Sequence, residues 1–221
     1  MRDRWYKDAC AAAHTLDLLG ERWSLLVVRE LMFGPKRFSD LRACLPGISA
    51  NILTQRLEGL EASGILIQRT LPAPAKVKVY ELTEWGYEAE PIFQALGNFG
   101  ARSPLHDPTL PFSASSLCLS LRTMFDASQA QGFDHDFALI LPVERFVGHF
   151  SAEGLTISRS EATDFSFALQ GEPPAIAAVI YGGQPLDAAE KDGLVTVAGD
   201  RALAQCFVTL FPLPQKAGQR A

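Results

Sequence analysis

Leu45-Pro46-Gly47-Ile48-Ser49-Ala50-Asn51-Ile52-Leu53-Thr54-Gln55-Arg56-Leu57-Glu58-Gly59-Leu60 is the stretch that decides the fold of the first half of the chain. Pro46-Gly47 turns the backbone, since proline fixes φ and glycine accepts conformations that other residues avoid. Ser49 is positioned to cap a helix, with Ile48 and Leu53 as the hydrophobic staple around that cap. Leu53, Leu57 and Leu60 recur at helical spacing and supply its buried face. Ala50, Asn51, Thr54, Gln55 and Glu58 are left to project outward. Short amide and hydroxyl side chains at a helix N-terminus suit a DNA major groove, where Asn or Gln bonds bidentately to adenine. A solvated polar face has the same composition, so the neighbouring segments must decide.

Upstream, Ala11–Leu19 reads as a short helix closed by Gly20. Glu21–Phe33 reads as a second, stopped by Gly34-Pro35, and Phe38–Leu45 as a third with Phe38, Leu41 and Leu45 inward. Downstream, Gly64 ends the fourth helix and the period changes to two. Residues 65–69 and 77–82 read as a strand pair joined by a Pro-Ala-Pro-Ala loop. Thr83 then caps one long helix with Trp85, Ala89, Ile92, Leu96 and Phe99 as a single apolar stripe. Four helices, a hairpin and a helix make a winged helix-turn-helix layout. The stripe exceeds what one such domain can cover, so it is expected to meet a second copy.

Charge supports the nucleic-acid reading. The 221-residue chain is acidic overall at −5, but residues 29–78 hold 8 basic against 4 acidic side chains. Lys36, Arg37 and Arg42 lie before the polar helix, Arg56 on it, and Arg69, Lys76 and Lys78 on the hairpin. Cations on both flanks of one polar helix can neutralise phosphates on either side of a groove. With Ser49, Asn51, Thr54 and Gln55 they form the expected contact set to double-stranded operator DNA.

Three prolines within Ser103–Pro111 favour an extended linker. The expected division is residues 1–102, a linker at 103–112, and a second domain at 113–221. Its elements differ: a helix at 116–125, four strands at 136–141, 145–150, 155–159 and 164–169, a helix at 174–181, a short acidic helix near Ala188, a fifth strand at 194–197 and a last helix to Phe211. That is an α+β domain with one mixed sheet of roughly five strands under covering helices. Ten of the 14 phenylalanines follow residue 105. They are either plain core or the lining of an apolar pocket, for which Phe125, Phe137, Leu139, Phe146, Phe150, Phe165 and Phe167 are the candidates. Arg145, His149 and Arg159 could anchor a carboxylate head.

Composition excludes a disordered or fibrous chain, and no apolar run is long enough to span a membrane. Met1-Arg2-Asp3-Arg4-Trp5 lacks a secretory core, so a cytoplasmic protein is expected. The four cysteines form no C-x-x-C pair, which argues against a zinc site or disulfide framework. Cys44, Cys118 and Cys206 read as small buried hydrophobes. Cys10 has two readings: a packed thiol, or a sensor whose pKa Lys7 and Arg4 lower and Asp8 raises. His135 between Asp134 and Asp136 is a weak metal candidate, more simply a solvated strand entry. No G-x-S-x-G, H-E-x-x-H, G-x-x-x-x-G-K or G-x-G-x-x-G motif is present, so neither enzyme activity nor a cofactor is expected.

Several motifs resemble the HxlR-type regulators: Cys10 upstream of Leu16-Asp17-Leu18-Leu19-Gly20-Glu21-Arg22-Trp23-Ser24-Leu25-Leu26, then Gly34-Pro35-Lys36-Arg37-Phe38-Ser39-Asp40-Leu41, Leu45-Pro46-Gly47-Ile48-Ser49, Leu53-Thr54-Gln55-Arg56-Leu57 and Tyr80-Glu81-Leu82-Thr83. The resemblance spans residues 8–102. It implies a dimeric transcriptional regulator, expected to be a repressor, dimerised through its first and fifth helices. Ala11-Ala12 stand where the family often has proline, and the wing is unusually rich in Pro and Ala. Oxidant or electrophile sensing by a thiol at the Cys10 position occurs in some members.

Asp164–Glu172, the apolar helix ending Tyr181-Gly182-Gly183, and Gly193–Asp200 resemble the sterol carrier protein type 2 family. That resemblance spans residues 116–212 and implies a hydrophobic tunnel for acyl chains, sterols or other apolar molecules. The combined expectation is a cytoplasmic, homodimeric DNA-binding regulator that answers to a small apolar effector in its second domain. The alternatives are a regulator with a structural or protein-docking second domain and Cys10 as sensor, and a lipid-carrier module.

Overall fold

A computed structural model describes residues 6–218. Its contacts divide the chain into two compact units, one ending at Pro91 and the other beginning at Ile92. The first holds α1 (Ala11–Leu19), α2 (Ser24–Leu31), α3 (Phe38–Cys44), α4 (Ala50–Ala62), β1 (Leu66–Thr70), β2 (Lys78–Leu82) and α5 (Glu84–Tyr87). α6 (Glu90–Ala101) carries the chain across the division. The strands pair antiparallel, Leu66 opposite Leu82 and Thr70 opposite Lys78.

The core of this unit is aliphatic. Val27, Val28, Leu31, Leu41, Leu53, Leu57, Leu60 and Leu66 are all buried, each contributing about 1.5–3 kcal/mol through the apolar area it removes from water. The leucine face of α4 therefore docks on α1, α2 and β1. Gly86 allows α5 to lie against the residue that precedes β1: a Cβ there would fall 2.1 Å from the Ile65 carbonyl oxygen.

Two helices differ from expectation. α2 starts at Ser24 rather than Glu21, because Trp23 holds a left-handed φ of 81°. The long fifth helix is two, α5 and α6. Pro91 is the reason, since it has no N–H to give the Tyr87 carbonyl and its ring would crowd that oxygen. Thr83 still caps α5, accepting from the Gly86 amide at 3.0 Å.

The second unit continues with α7 (Ala114–Met124), a 3-10 turn at Ala127–Ala130, β3 (Asp134–Ile140), β4 (Arg145–Ser151), β5 (Gly154–Arg159), β6 (Phe167–Gly171), α8 (Pro173–Tyr181), α9 (Leu186–Lys191), β7 (Val195–Gly199) and α10 (Arg201–Phe207). The sheet order is β5-β4-β3-β6-β7, with β3 and β6 parallel and the other pairs antiparallel. The last helix stops at Phe207, four residues before the expected Phe211. Register sets Phe137, Leu139, Phe146, Phe150, Phe167 and Leu169 on one sheet face. Gly148 makes room on it, since a Cβ there would lie 2.5 Å from the Phe137 ring. Residues 103–112 are a connection inside this unit, exposed over 104–111.

Candidate nucleic-acid interface

The α3-turn-α4 element is built from local chemistry. Asp40 accepts from the Arg37 amide at 3.3 Å, tightening the first turn of α3. Gly47, with φ of 91°, makes the turn between the helices, where glycine alone avoids strain. Ser49 caps α4 by accepting from the Ile52 amide at 3.2 Å, a contact worth about 1 kcal/mol. Asn51, Thr54, Gln55 and Glu58 are exposed, and Leu53, Leu57 and Leu60 are buried beneath them. The N-terminal turn of α4 thus offers amides and hydroxyls to a partner.

The seven cations divide. Arg37, Arg42, Lys76 and Lys78 are exposed on α3 and the hairpin. Lys36 is only 4% exposed. Its backbone bridges to Tyr80 in both directions, at 3.0 and 2.9 Å, so this lysine is a structural residue and not a surface cation. Arg56 is likewise turned inward: Nε donates to the Arg22 carbonyl at 3.0 Å and Nη2 meets Glu21 at 3.1 Å. Arg69 is ion-paired with Glu81 across the hairpin.

Sequence reading missed the function of the Glu21-Arg22-Trp23 turn. A left-handed tryptophan costs on the order of 1–3 kcal/mol, and here Arg56 and the Arg22 guanidinium, 5.5 Å from the Trp23 ring, hold it. The indole reaches the Gly47 turn, 3.9 Å from where a Cβ would stand. These residues fix the entry angle of α4. Gln68 adds a second tie, its amide donating to Glu61 of α4 at 2.9 Å. The one available signal was the string of large and charged residues just where a helix start was expected.

Trp85 is half exposed on α5. Ile92, Leu96 and Phe99 fall at i, i+4 and i+7 on α6, and Phe99 is 81% exposed. Ala89 is buried in the break between the helices and leaves the stripe. Cys10 sits exposed at the N-cap of α1 in the single chain. The Ala13 and Ala12 amides hold its thiol below the usual range. Arg4 and the Met1–Trp5 start lie outside the described residues. Cys118 is buried and Cys44 half-buried, but Cys206 is exposed because α10 turns Leu203, Ala204 and Phe207 inward instead.

In the second unit the phenylalanines fill space. Phe137, Phe146, Phe150, Phe167 and Phe207 are fully buried, as is Leu139. Phe207 lies 4.5, 5.1 and 5.3 Å from the Phe137, Phe150 and Phe167 ring centres. These residues are a packed aromatic core and not a pocket lining. Phe165 lies under the Arg145 guanidinium at 5.5 Å, and Arg159 pairs with Glu144. Phe125 borders an open cleft of about 460 Å³. The histidine held by Asp134 and Asp136 is His149, at 3.1 and 2.9 Å. His135 points to the other face, against Phe133 and Phe150. Among the described residues no acidic, His or Cys cluster has metal-binding geometry, and no helix is long and apolar enough to cross a membrane.

A helical turn presenting the polar N-terminus of α4 defines the class: a helix-turn-helix protein. The HxlR-like helix-turn-helix family model matches residues 18–106. The HTH-type transcriptional regulator sll1512 of Synechocystis is 41% identical over 93 residues, covering 42% of this chain and 68% of that protein. The HTH-type transcriptional regulator YodB of Bacillus subtilis is 42% identical over 80 residues, covering 36% of this chain and 70% of that protein. The chain belongs to the HxlR-like helix-turn-helix family, whose named members here are transcriptional regulators. Among solved structures, the reduced form of B. subtilis YodB aligns with a TM-score of 0.40 and 32% identity, covering 45% of this chain and all of that one.

Proposed function

We propose that the chain is a homodimeric, operator-binding regulator that reads bases with Asn51, Thr54 and Gln55 and phosphates with Arg37, Arg42, Lys76 and Lys78. The observation that carries this is α4 itself, with leucines buried on one side and amides and hydroxyls exposed on the other. The β1–β2 hairpin acts as the wing, its two lysines meeting backbone beside the groove entered by α4. Ile92, Leu96 and Phe99, with Trp85, supply the dimer contact, which sets two half-sites about one helical turn, roughly 34 Å, apart. Asn51→Ala and Gln55→Ala should each cost roughly 1–3 kcal/mol against operator and spare random duplex. Equal losses on both DNAs in a salt-matched titration defeat the base-reading assignment.

For the second unit the proposal is a sterol carrier-like sensor, supported by the element order and the five-stranded mixed sheet. The packed phenylalanines oppose a lipid carrier, because they occupy the volume an acyl chain would need. A second reading puts sensing at Cys10, favoured by its exposure and by the α1 amides that stabilise its thiolate. Under it, Cys10→Ser keeps operator binding and abolishes release by a quinone; release that survives in the variant removes the reading.

A further inference from the structure

The cleft beside Phe125 is constructed from three segments that the fold ties together. Asn98 of α6, Thr123–Ser128 and Pro212–Pro214 line it. α6 packs directly on α7, where a methyl at Gly97 would stand 3.5 Å from Thr123 Cγ2. The Thr123–Ser128 segment is bound to the chain before Pro212 by the Asp126 amide, which donates to the Leu210 carbonyl at 2.9 Å. The segment after Pro214 clasps the end of α6. Lys216 Nζ donates to the Ala101 and Ser103 carbonyls at 3.0 and 3.1 Å, and the Ala217 amide to the Arg102 carbonyl at 2.7 Å.

The lining states what would fit. Its volume of about 460 Å³ lies within the roughly 300–1,000 Å³ of small-molecule sites. Met124, Phe125, Pro212, Leu213 and Pro214 offer apolar and aromatic surface. No lysine or arginine lines the cleft, and its one charge is Asp126. Asp126 Oδ1 accepts from the Ser128 amide and hydroxyl at 3.0 and 2.6 Å, and Oδ2 from Gln129 Nε2 at 2.8 Å. The Gln129 amide also reaches this carboxylate, so a further ligand group would be drawn to it by charge rather than by an unfilled acceptor position. The Ser128 and Gln129 donors also hold the group below the usual carboxylate range, and it stays ionised.

We propose that this cleft is a small-molecule site for a flat aromatic ring bearing an alkylammonium group, its ring against Phe125, Leu213 and the prolines and its positive charge beside the Asp126 carboxylate. Occupancy would press on Asn98 and hence on α6, the helix whose face carries Ile92, Leu96 and Phe99. The assignment deepens the sensor reading and rests on it. Binding is measured on the protein without DNA, so a failure here leaves the operator titration to judge the regulator reading by itself.

The test is amide NMR of the full chain with 1-naphthylmethylamine and, as an anion of matched size, 1-naphthoate. The amine should shift the Asn98, Asp126, Ser128 and Leu213 amides, and the anion should bind about tenfold more weakly or worse. Asp126→Asn should weaken the amine about fivefold or more, since it removes the charge that draws the ammonium. Because that change could loosen the 3-10 turn, Asn98→Trp is the second variant: it fills the cleft from an exposed position and should block the amine with the fold intact. The site is overturned if roughly millimolar amine leaves these amides unmoved, if the anion binds equally well, or if both variants bind like the parent.

Discussion

Arg56→Ala and Lys78→Ala separate two uses of a positive charge. Arg56 lies on the helix proposed to read DNA, yet its guanidinium bonds the Arg22 carbonyl and Glu21, with 19% of the side chain exposed. Lys78 is exposed on the hairpin. Removing Arg56 loses a hydrogen bond worth about 0.5–1.5 kcal/mol and a partly exposed ion pair worth about 0–1 kcal/mol. It also frees the left-handed Trp23 turn. The expected loss is about 1–2 kcal/mol in the first unit, which lowers its urea midpoint by roughly 0.5–1 M at a slope of about 2 kcal/mol/M. All three tryptophans precede residue 105, so indole fluorescence follows this unit. Operator titrations at several salt concentrations supply the other half. Arg56→Ala should keep the parent's salt slope, whereas Lys78→Ala should flatten it by about one unit and leave the urea midpoint in place. An Arg56→Ala protein of unchanged stability and a slope flattened by about one unit would put this arginine on a phosphate and refute the reasoning.

Phe150→Ala should cost about 3–5 kcal/mol, because the ring is fully buried among Phe137, Phe167 and Phe207 and leaves a cavity; denaturation followed by near-ultraviolet dichroism tests this, and a loss under about 1 kcal/mol would mean an open pocket rather than a filled core. Phe99→Asp should turn a dimer into a monomer in sedimentation velocity, since it puts a charge on the most exposed residue of the α6 face; a parent protein that already sediments as a monomer sinks the dimer assignment.

What could be read from sequence was local in origin. Ser49 caps α4, Gly64 follows it and Thr83 opens α5 because capping and turn chemistry depend on residues a few positions apart. Period-two and helical spacing located the five strands of the second sheet to within a few residues for the same reason. Pro91 carried the α5–α6 break in plain view, but an apolar stripe running through it made the longer helix the simpler reading. The destinations of side chains were decided elsewhere. Arg56 and Lys36 have the same charge as Lys78, yet one closes the Trp23 turn and the other is buried beside β2. Phe137 and Phe150 satisfy the pattern of a pocket wall and of a packed core equally well. Which they became depends on whether Phe207, far along the chain, swings in to meet them. Spacing along the chain determines which face a residue occupies, but only the packed tertiary structure determines what stands opposite that face.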